Sequence, residues 1–134
     1  MLTKILWWLW QFPQHLLGEI LVCASGAKEE IRYGHHVFVS SRFMHSGVSL
    51  GDYIILDRSR ISHFVVLHEH GHQKQSRKLG WLYLLIIGLP SITGNIWDRL
   101  FHRKWDYDRR SKWYYSLPWE AWANRLSGVS FHDC

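Results

Sequence analysis

The chain has 134 residues, the length of one domain, and we expect a single domain over residues 1–134. Its 47% apolar and 20% charged residues exclude a disordered or fibrous protein, while nine Trp and ten His are an unusual excess. Nine of the sixteen cations fall in two clusters, Lys74 to Lys78 and Arg99 to Lys112, on either side of an uncharged stretch. Such clusters favour an anionic membrane surface as a partner, and we do not expect nucleic-acid binding.

The N-terminal segment, residues 1–27, is apolar and aromatic, and between Ile5 and Ala27 its only charge is Glu19. Pro13 and the polar residues near it disfavour a continuous membrane-spanning helix. The segment is therefore predicted to be an aromatic interfacial anchor or two short helices broken near Pro13. A Trp-rich helix in the protein core is the alternative.

Residues 30–57 have the composition of strands. The stretches 31–40 and 47–57 are rich in β-branched and aromatic residues and are bounded by Gly and Ser, so we expect a small antiparallel sheet. A helix is predicted next, from Ile61 to Leu79, because apolar and His residues recur at spacings of three and four. Gly80 is expected to end that helix.

Nineteen uncharged residues follow, from Leu79 to Trp97. Only Trp81 to Leu89 is strongly apolar, a length that favours a buried core helix or a re-entrant or interfacial segment over a full span. A polar, aromatic linker is then expected as far as Tyr115. Pro118 suits the first position of a last helix, predicted to run to about Leu126. These elements together predict an α+β fold.

The sequence His68-Glu69-His70-Gly71-His72 contains the pattern H-E-x-x-H. On a helix, His68 and His72 lie one turn apart and can bind one cation, while Glu69 lies beside it as a general base. This geometry is typical of zinc hydrolysis, so Zn²⁺ is the expected cofactor. His70 points to another face and is not expected to be a ligand.

A catalytic zinc ion needs a third protein ligand, and Glu120 is the only glutamate after the motif. Asn124 lies one helical turn later, where its amide could bind the far nitrogen of a ligating histidine. Other side chains that zinc accepts remain open as alternatives. They are Asp98, His102, Asp106 and Asp108.

The pair formed by H-E-x-G-H and the later E-x-x-A-N, in WEAWANRL, resembles the gluzincins, the thermolysin-like class of zinc metallopeptidases. HEHGHQKQSRKLGWLYLLIIGLPS, SLGDYIILD and WQFPQHLLGEIL also resemble small uncharacterised bacterial zincin-like proteins, and similar segments end some Rhs-type repeat proteins. The resemblance covers most of the chain. It implies a minimal zincin-like domain, with a sheet, an active-site helix, an apolar helical segment and a last helix that carries the third ligand.

By position, the resemblance makes His68, His72 and Glu120 the metal ligands and Glu69 the general base. Asn124 would be the partner of His68, where the broader class more often has Asp.

The resemblance further implies that the strand Gly51 to Asp57 lies beside the cleft, so that Gly51 and Tyr53 would bind substrate at a sheet edge. Trp119 stands where the family leads us to expect a small hydroxyl residue. The oxyanion stabiliser is left open among three side chains. They are Tyr114, Tyr115 and His132.

Two functions are compatible with the sequence. The first is a zinc metallopeptidase that hydrolyses a peptide or protein substrate at a membrane. The second is a non-catalytic, membrane-associated zinc-binding or interaction protein. Two cysteines cannot form a disulfide framework, which favours a reducing compartment. We therefore expect the protein on the cytoplasmic side of a membrane, with a soluble cytoplasmic protein as the alternative.

Overall fold

The computed structural model describes residues 1–42 and 47–131. Within them the chain forms six α-helices and a four-stranded sheet, which confirms the predicted α+β class. A π-helical turn, Leu84–Gly88, leads into the fourth helix. The elements are α1 (Leu2–Trp10), α2 (Phe12–Ser25), β1 (Lys28–Arg32), β2 (His35–Ser40), β3 (Gly47–Leu50), β4 (Tyr53–Asp57), α3 (His63–Leu79), α4 (Leu89–Phe101), α5 (Tyr107–Ser116) and α6 (Pro118–Ser127).

The sheet has the strand order β1-β2-β4-β3 and is mixed. The strands β1 and β2 form an antiparallel hairpin, as do β3 and β4. The two hairpins meet through a parallel pair, in which Phe38 of β2 lies opposite Ile55 of β4. The expectation of an antiparallel sheet was therefore wrong at this junction. Because β3 occupies the outer edge, β4 is the strand that joins the first hairpin, and it runs in the same direction as β2.

The hydrophobic core lies between one face of the sheet and α3. Alternate residues of a strand point to the same face, and β2 and β4 each supply two buried aliphatic side chains by this rule. Val66 of α3 packs against them with no exposed surface. The four strand residues are Val37, Val39, Ile54 and Leu56.

The helix α3 carries the H-E-x-x-H motif and begins at His63, two residues later than predicted. Ile61 is extended, and the hydroxyl of Ser62 accepts a hydrogen bond from the backbone N–H of Val65, which caps the helix. Gly80, with φ of 55°, ends it as expected. The last helix was also predicted correctly, since α6 runs from Pro118 to Ser127.

The predicted linker after the apolar stretch is largely helical instead. The helix α4 continues to Phe101, and α5 begins after Asp106, whose carboxylate accepts a hydrogen bond from the backbone N–H of Arg109. Asp98 then joins the two helices, because its buried carboxylate accepts from His102 and from Arg110. The aspartate cap of α5 is the signal that the sequence prediction missed.

The N-terminal segment is broken into two helices at Gln11, close to the predicted break at Pro13. The core-helix alternative is wrong for α1, which buries none of its residues. A buried core helix is also wrong for Trp81 to Leu89, since Leu85 is 66% exposed. No single helix in residues 1–42 and 47–131 has the length and hydropathy to cross a membrane, but His63–Leu82 and Leu84–Phe101, bent by 118°, meet those criteria as a pair.

Candidate metal centre

Three side chains from two helices converge in the interior. His68 and His72 lie one turn apart on α3, and Glu120 reaches them from the first turn of α6. Glu120 Oε2 lies 3.0 Å from Nε2 of each histidine, and the two Nε2 atoms are 3.1 Å apart. We call this group the metal cluster, because its three buried ligand atoms could hold one metal ion.

The spacing of the three ligand atoms can be compared with the spacing around a bound metal ion. Its three ligand atoms form a nearly equilateral triangle with sides of 3.0–3.1 Å. Tetrahedral zinc, with bonds of about 2.0–2.1 Å, places its ligand atoms roughly 3.3 Å apart. Two imidazoles and one carboxylate are also a ligand set that zinc accepts. A shift of a few tenths of an ångström would therefore adapt the side chains to the ion.

Hydrogen bonds on the far side of each imidazole fix its orientation. His68 Nδ1 donates to Asn124 Oδ1 over 2.7 Å, which confirms the predicted contact. His72 Nδ1 donates to Oε1 of Gln75 over 2.6 Å, and the Gln75 amide is held by the carbonyl of Trp119. Because both Nδ1 atoms donate outward, Nε2 is the nitrogen that each ring presents to the metal cluster and that would bind an ion once it has lost its proton.

The second oxygen of the Glu120 carboxylate has its own partners. Oε1 accepts hydrogen bonds from Ser91 Oγ at 2.5 Å and from Tyr114 OH at 3.0 Å, and the Glu120 side chain is fully buried. The phenol of Tyr114 therefore holds a ligand, which differs from the oxyanion role considered for it. The ring of Tyr115 packs edge-on against His68, with ring centroids 4.9 Å apart. His132 lies outside the described residues.

The electrostatics of the metal cluster are those of a buried ion pair. Burial by itself lowers the pKa of the His72 imidazole, but the hydrogen bond and negative charge of Glu120 outweigh burial and raise that pKa to about 9. Burial would raise the pKa of the Glu120 carboxyl, yet the hydrogen bonds from His68 and His72 hold it well below its usual range. The cluster thus keeps a carboxylate charged in the interior, as a cation site requires.

Glu69 is buried next to the metal cluster without joining it. Burial raises the pKa of its carboxyl, while the positive charges of His72 and His68 act in the opposite direction. Among the described residues, Glu69 Oε2 is buried and has no hydrogen-bond partner. A buried carboxylate oxygen without a partner is costly, so this oxygen is free to accept a hydrogen bond from a bound molecule.

The strand beside Glu69 is β3, at the edge of the sheet. A Cβ atom built on Gly47 would lie only 2.8 Å from Glu69 Oε1, so this glycine allows the strand to approach the carboxylate closely. The expectation that the strand Gly51 to Asp57 offers a free edge was wrong, because β4 is paired on both sides, with β2 and with β3.

Gly51 and Tyr53, the predicted substrate-binding residues, contact α2 instead of the metal cluster. A Cβ on Gly51 would meet the ring of His15, and Tyr53 packs against Gly18. Substrate binding by these two residues stays a prediction, and β3 is the strand that the structure places beside Glu69.

The alternative third ligands are engaged elsewhere. Asp98 and His102 bind each other, Asp106 caps α5, and Asp108 lies 2.7 Å from Nζ of Lys112. His70 faces away from the metal cluster, as predicted, with its ring against that of His35.

A close contact between α3 and α6 brings the ligands together, and the sequence prediction missed its origin. A Cβ on Gly71, inside the motif, would lie 2.1 Å from the carbonyl oxygen of Ala123. Only glycine lets the two helices approach so closely. Gln75 was also missed, although its position three residues after His72, on the same face of α3, was visible in the sequence.

Comparisons of the chain with protein-family models, with curated proteins and with solved structures found no match. The resemblance to gluzincins therefore stays a prediction that rests on the motifs themselves.

Proposed function

We propose that the protein is a zinc-dependent hydrolase that cleaves peptide bonds, with Glu69 as its general base. The observation that carries this proposal is the buried, unpartnered Oε2 of Glu69 beside a triangle of three ligand atoms. A purely structural zinc site is usually closed by four protein ligands, whereas a catalytic site has three and keeps a position open. Three ligands and an adjacent base favour catalysis over a structural role.

Each residue of the site has a separate role in the proposed reaction. His68, His72 and Glu120 would hold the ion, and hydrogen bonds to Asn124 and Gln75 orient both imidazoles with Nε2 toward it. Bound zinc would supply a polarised water molecule with a pKa of about 7. Glu69 would accept a proton from such a water as it attacks the peptide carbonyl and would pass that proton to the leaving amine. Burial raises the pKa of Glu69, which makes it a stronger base than an exposed glutamate.

The position of β3 supports a peptide as the substrate. The strand is an edge of the sheet, and its Gly47 end lies against Glu69. An extended peptide can add to such an edge by main-chain hydrogen bonds, which would carry its carbonyl groups past the carboxylate. The hydroxyl of Tyr83 donates a hydrogen bond to the carbonyl of Ser49 over 2.9 Å, so that carbonyl already has a partner. We therefore propose that the substrate would pair with the Gly47 end of β3.

Metal analysis and a peptidase assay test the proposal together. We expect one zinc ion per chain, lost in His68→Ala and Glu120→Ala. In Glu69→Gln we expect the metal to be retained and peptide hydrolysis to fall by at least about 10²-fold, the effect of a general base. His70→Ala is the matched control, since this ring lies against His35 within the same motif. Equal zinc content in His68→Ala and His70→Ala would contradict the proposed site.

The second candidate is a non-catalytic, membrane-associated protein that binds zinc. The apolar side chains exposed on α1, which buries none of its residues, favour it. Zinc binding without hydrolysis, unchanged in Glu69→Gln, would be its signature. In either case we propose a location on the cytoplasmic side of a membrane.

A further inference from the structure

The helix α2 is polar inside and apolar outside, the reverse of a helix on a water-soluble protein. Gln14 and His15 point inward and are at most 3% exposed, as is Gln11 at the helix start. On the opposite side, three aliphatic side chains have 43–55% of their surface exposed. They are Leu16, Leu17 and Ile20.

Hydrogen bonds hold the amides of Gln11 and Gln14 inward, so the inversion is part of the packing, although Gln14 Oε1 is buried without a partner among the described residues. Gln14 Nε2 donates to the carbonyl of Gly80 over 2.6 Å, and the hydroxyl of Ser76 donates to Gln11 Oε1 over 2.7 Å. Rotating α2 to bury its aliphatic side would break these bonds in the interior, at a considerable cost. The aliphatic side of α2 is therefore held outward.

Residues 84–101 show the same inversion, except that Ile87 is buried. Ser91, Gly94 and Asp98 point inward, to Glu120, Leu117 and Arg110 respectively. The outward stripe recurs at spacings of three and four and is 51–66% exposed. Its members are Leu85, Leu89, Ile92, Ile96 and Leu100.

The two outward stripes are joined through α1. The indole of Trp81 donates to the carbonyl of Leu9 over 2.7 Å, and the indole of Trp10 donates to the carbonyl of Arg77 over 2.9 Å. We call the exposed apolar side chains of α1 and of these two stripes, together with Trp81, the apolar face.

Several cations border the apolar face, although Glu19 of α2 is an exposed carboxylate beside it. Lys4 lies on α1 and Lys78 lies at the end of α3, both exposed, and Arg103 lies just beyond α4. Asp98, a carboxylate within α4, is buried and paired with Arg110. Many exposed apolar side chains with cations beside them complement an anionic bilayer. A second copy docked face to face would bring the same cations together.

We propose that the apolar face lies in one leaflet of an anionic membrane, so that the protein binds the bilayer from one side without crossing it. The exposed indoles of Trp7 and Trp97 suit the boundary between headgroups and hydrocarbon. This inference does not depend on the proposed catalysis, and zinc content reports separately on the site.

Vesicle flotation of the full chain tests the inference. The protein, purified in detergent, is reconstituted with vesicles of phosphatidylcholine alone or with about one-third phosphatidylserine. We expect flotation with both, stronger and salt-sensitive with phosphatidylserine. Ile92→Glu and Leu16→Glu should lower the bound fraction roughly tenfold or more. Ile31→Glu is the matched control, because Ile31 is 68% exposed on β1, outside the apolar face.

The outcomes distinguish a membrane from a second copy of the chain as the partner of the apolar face. All three positions are already exposed, so the variants should keep the zinc content of the wild type. Equal flotation of Ile92→Glu, Leu16→Glu and Ile31→Glu would overturn the inference. The inference would also be overturned if the wild-type chain did not float with vesicles but formed a dimer without detergent, and if Ile92→Glu dissociated that dimer. The apolar face would then bind a second copy of the chain.

Discussion

The substitution Gly71→Ala tests whether the contact of α3 with α6 assembles the metal cluster. Gly71 lies between the two ligating histidines in sequence, and its Cα faces the backbone of Ala123. The substitution adds one methyl group and leaves all three ligand side chains in place. Any loss of metal must then come from displacement of α6, which carries Glu120 and Asn124.

Two opposing contributions to the free energy of unfolding determine the expected effect of Gly71→Ala. Within a helix, Ala is favoured over Gly by roughly 0.5–1 kcal/mol. Against this, the new Cβ would lie 2.1 Å from the Ala123 oxygen, whereas real Cβ contacts are essentially never closer than 3.0 Å. The helices must therefore separate by at least 0.9 Å, and overpacking of this kind costs typically about 1–3 kcal/mol. The steric cost exceeds the gain in helix propensity, so we expect the variant to be less stable and to bind metal more weakly.

Zinc titration and thermal unfolding measure both effects. In Gly71→Ala we expect weaker zinc binding and a melting temperature lower by several degrees, since about 1 kcal/mol shifts it by roughly 2–8 °C. Gly88→Ala is the control, because a Cβ there has its nearest neighbour at 3.5 Å and an ordinary helical φ. Wild-type zinc affinity together with a raised melting temperature in Gly71→Ala would refute the close approach of α3 and α6.

Three further predictions concern the surroundings of the ligands. Asn124→Ala should lower zinc affinity about 10–100-fold, as measured by competition with a chelator. The reason is that His68 Nδ1 loses the side-chain oxygen that accepts its hydrogen bond. Ser91→Ala should weaken zinc binding by removing one of the two donors to Glu120 Oε1. Thr93→Ala should not, because the Thr93 hydroxyl donates to the nearby backbone carbonyl of Pro90. The pKa of the Asp52 carboxyl is lowered, chiefly by its hydrogen bond with His15. The charged carboxylate therefore stabilises the folded protein above the unfolded pKa of about 3.9, and this stabilisation is lost as the pH falls through the folded pKa. Thermal unfolding of Asp52→Asn should therefore show a small deficit at pH 7 that closes below about pH 4, and a deficit independent of pH would count against this role.

The helices that carry the ligands could be predicted because their signals are local. The i, i+4 spacing of the two histidines, the glycine that ends α3 and the proline that starts α6 each act within one or two turns. Glu120 could be chosen because it is the only glutamate after the motif. Its partner Ser91 could not, since that contact joins residues 29 positions apart.

The sheet and the apolar segment were harder to predict, for different physical reasons. Whether β2 meets β4 or β3 depends on how two hairpins dock, which no short-range pattern specifies. Periodicity identifies an apolar stripe, but it does not say whether that stripe faces the interior. In residues 84–101 the interior side is set by the hydrogen bonds of Ser91 and Asp98. Their polar side chains occupy the interior side of α4, where an amphipathic helix ordinarily carries aliphatic residues.

The attachment of α1 has a consequence for local stability. This helix buries no residue, and two indole hydrogen bonds, from Trp10 to Arg77 and from Trp81 to Leu9, tie it to the rest of the chain. A helix of nine residues with few buried contacts opens far more readily than the whole protein unfolds. In water, proteases should therefore cut the chain first near α1. If the apolar face lies in a lipid leaflet, the membrane supplies the missing contacts and protects that site from cleavage.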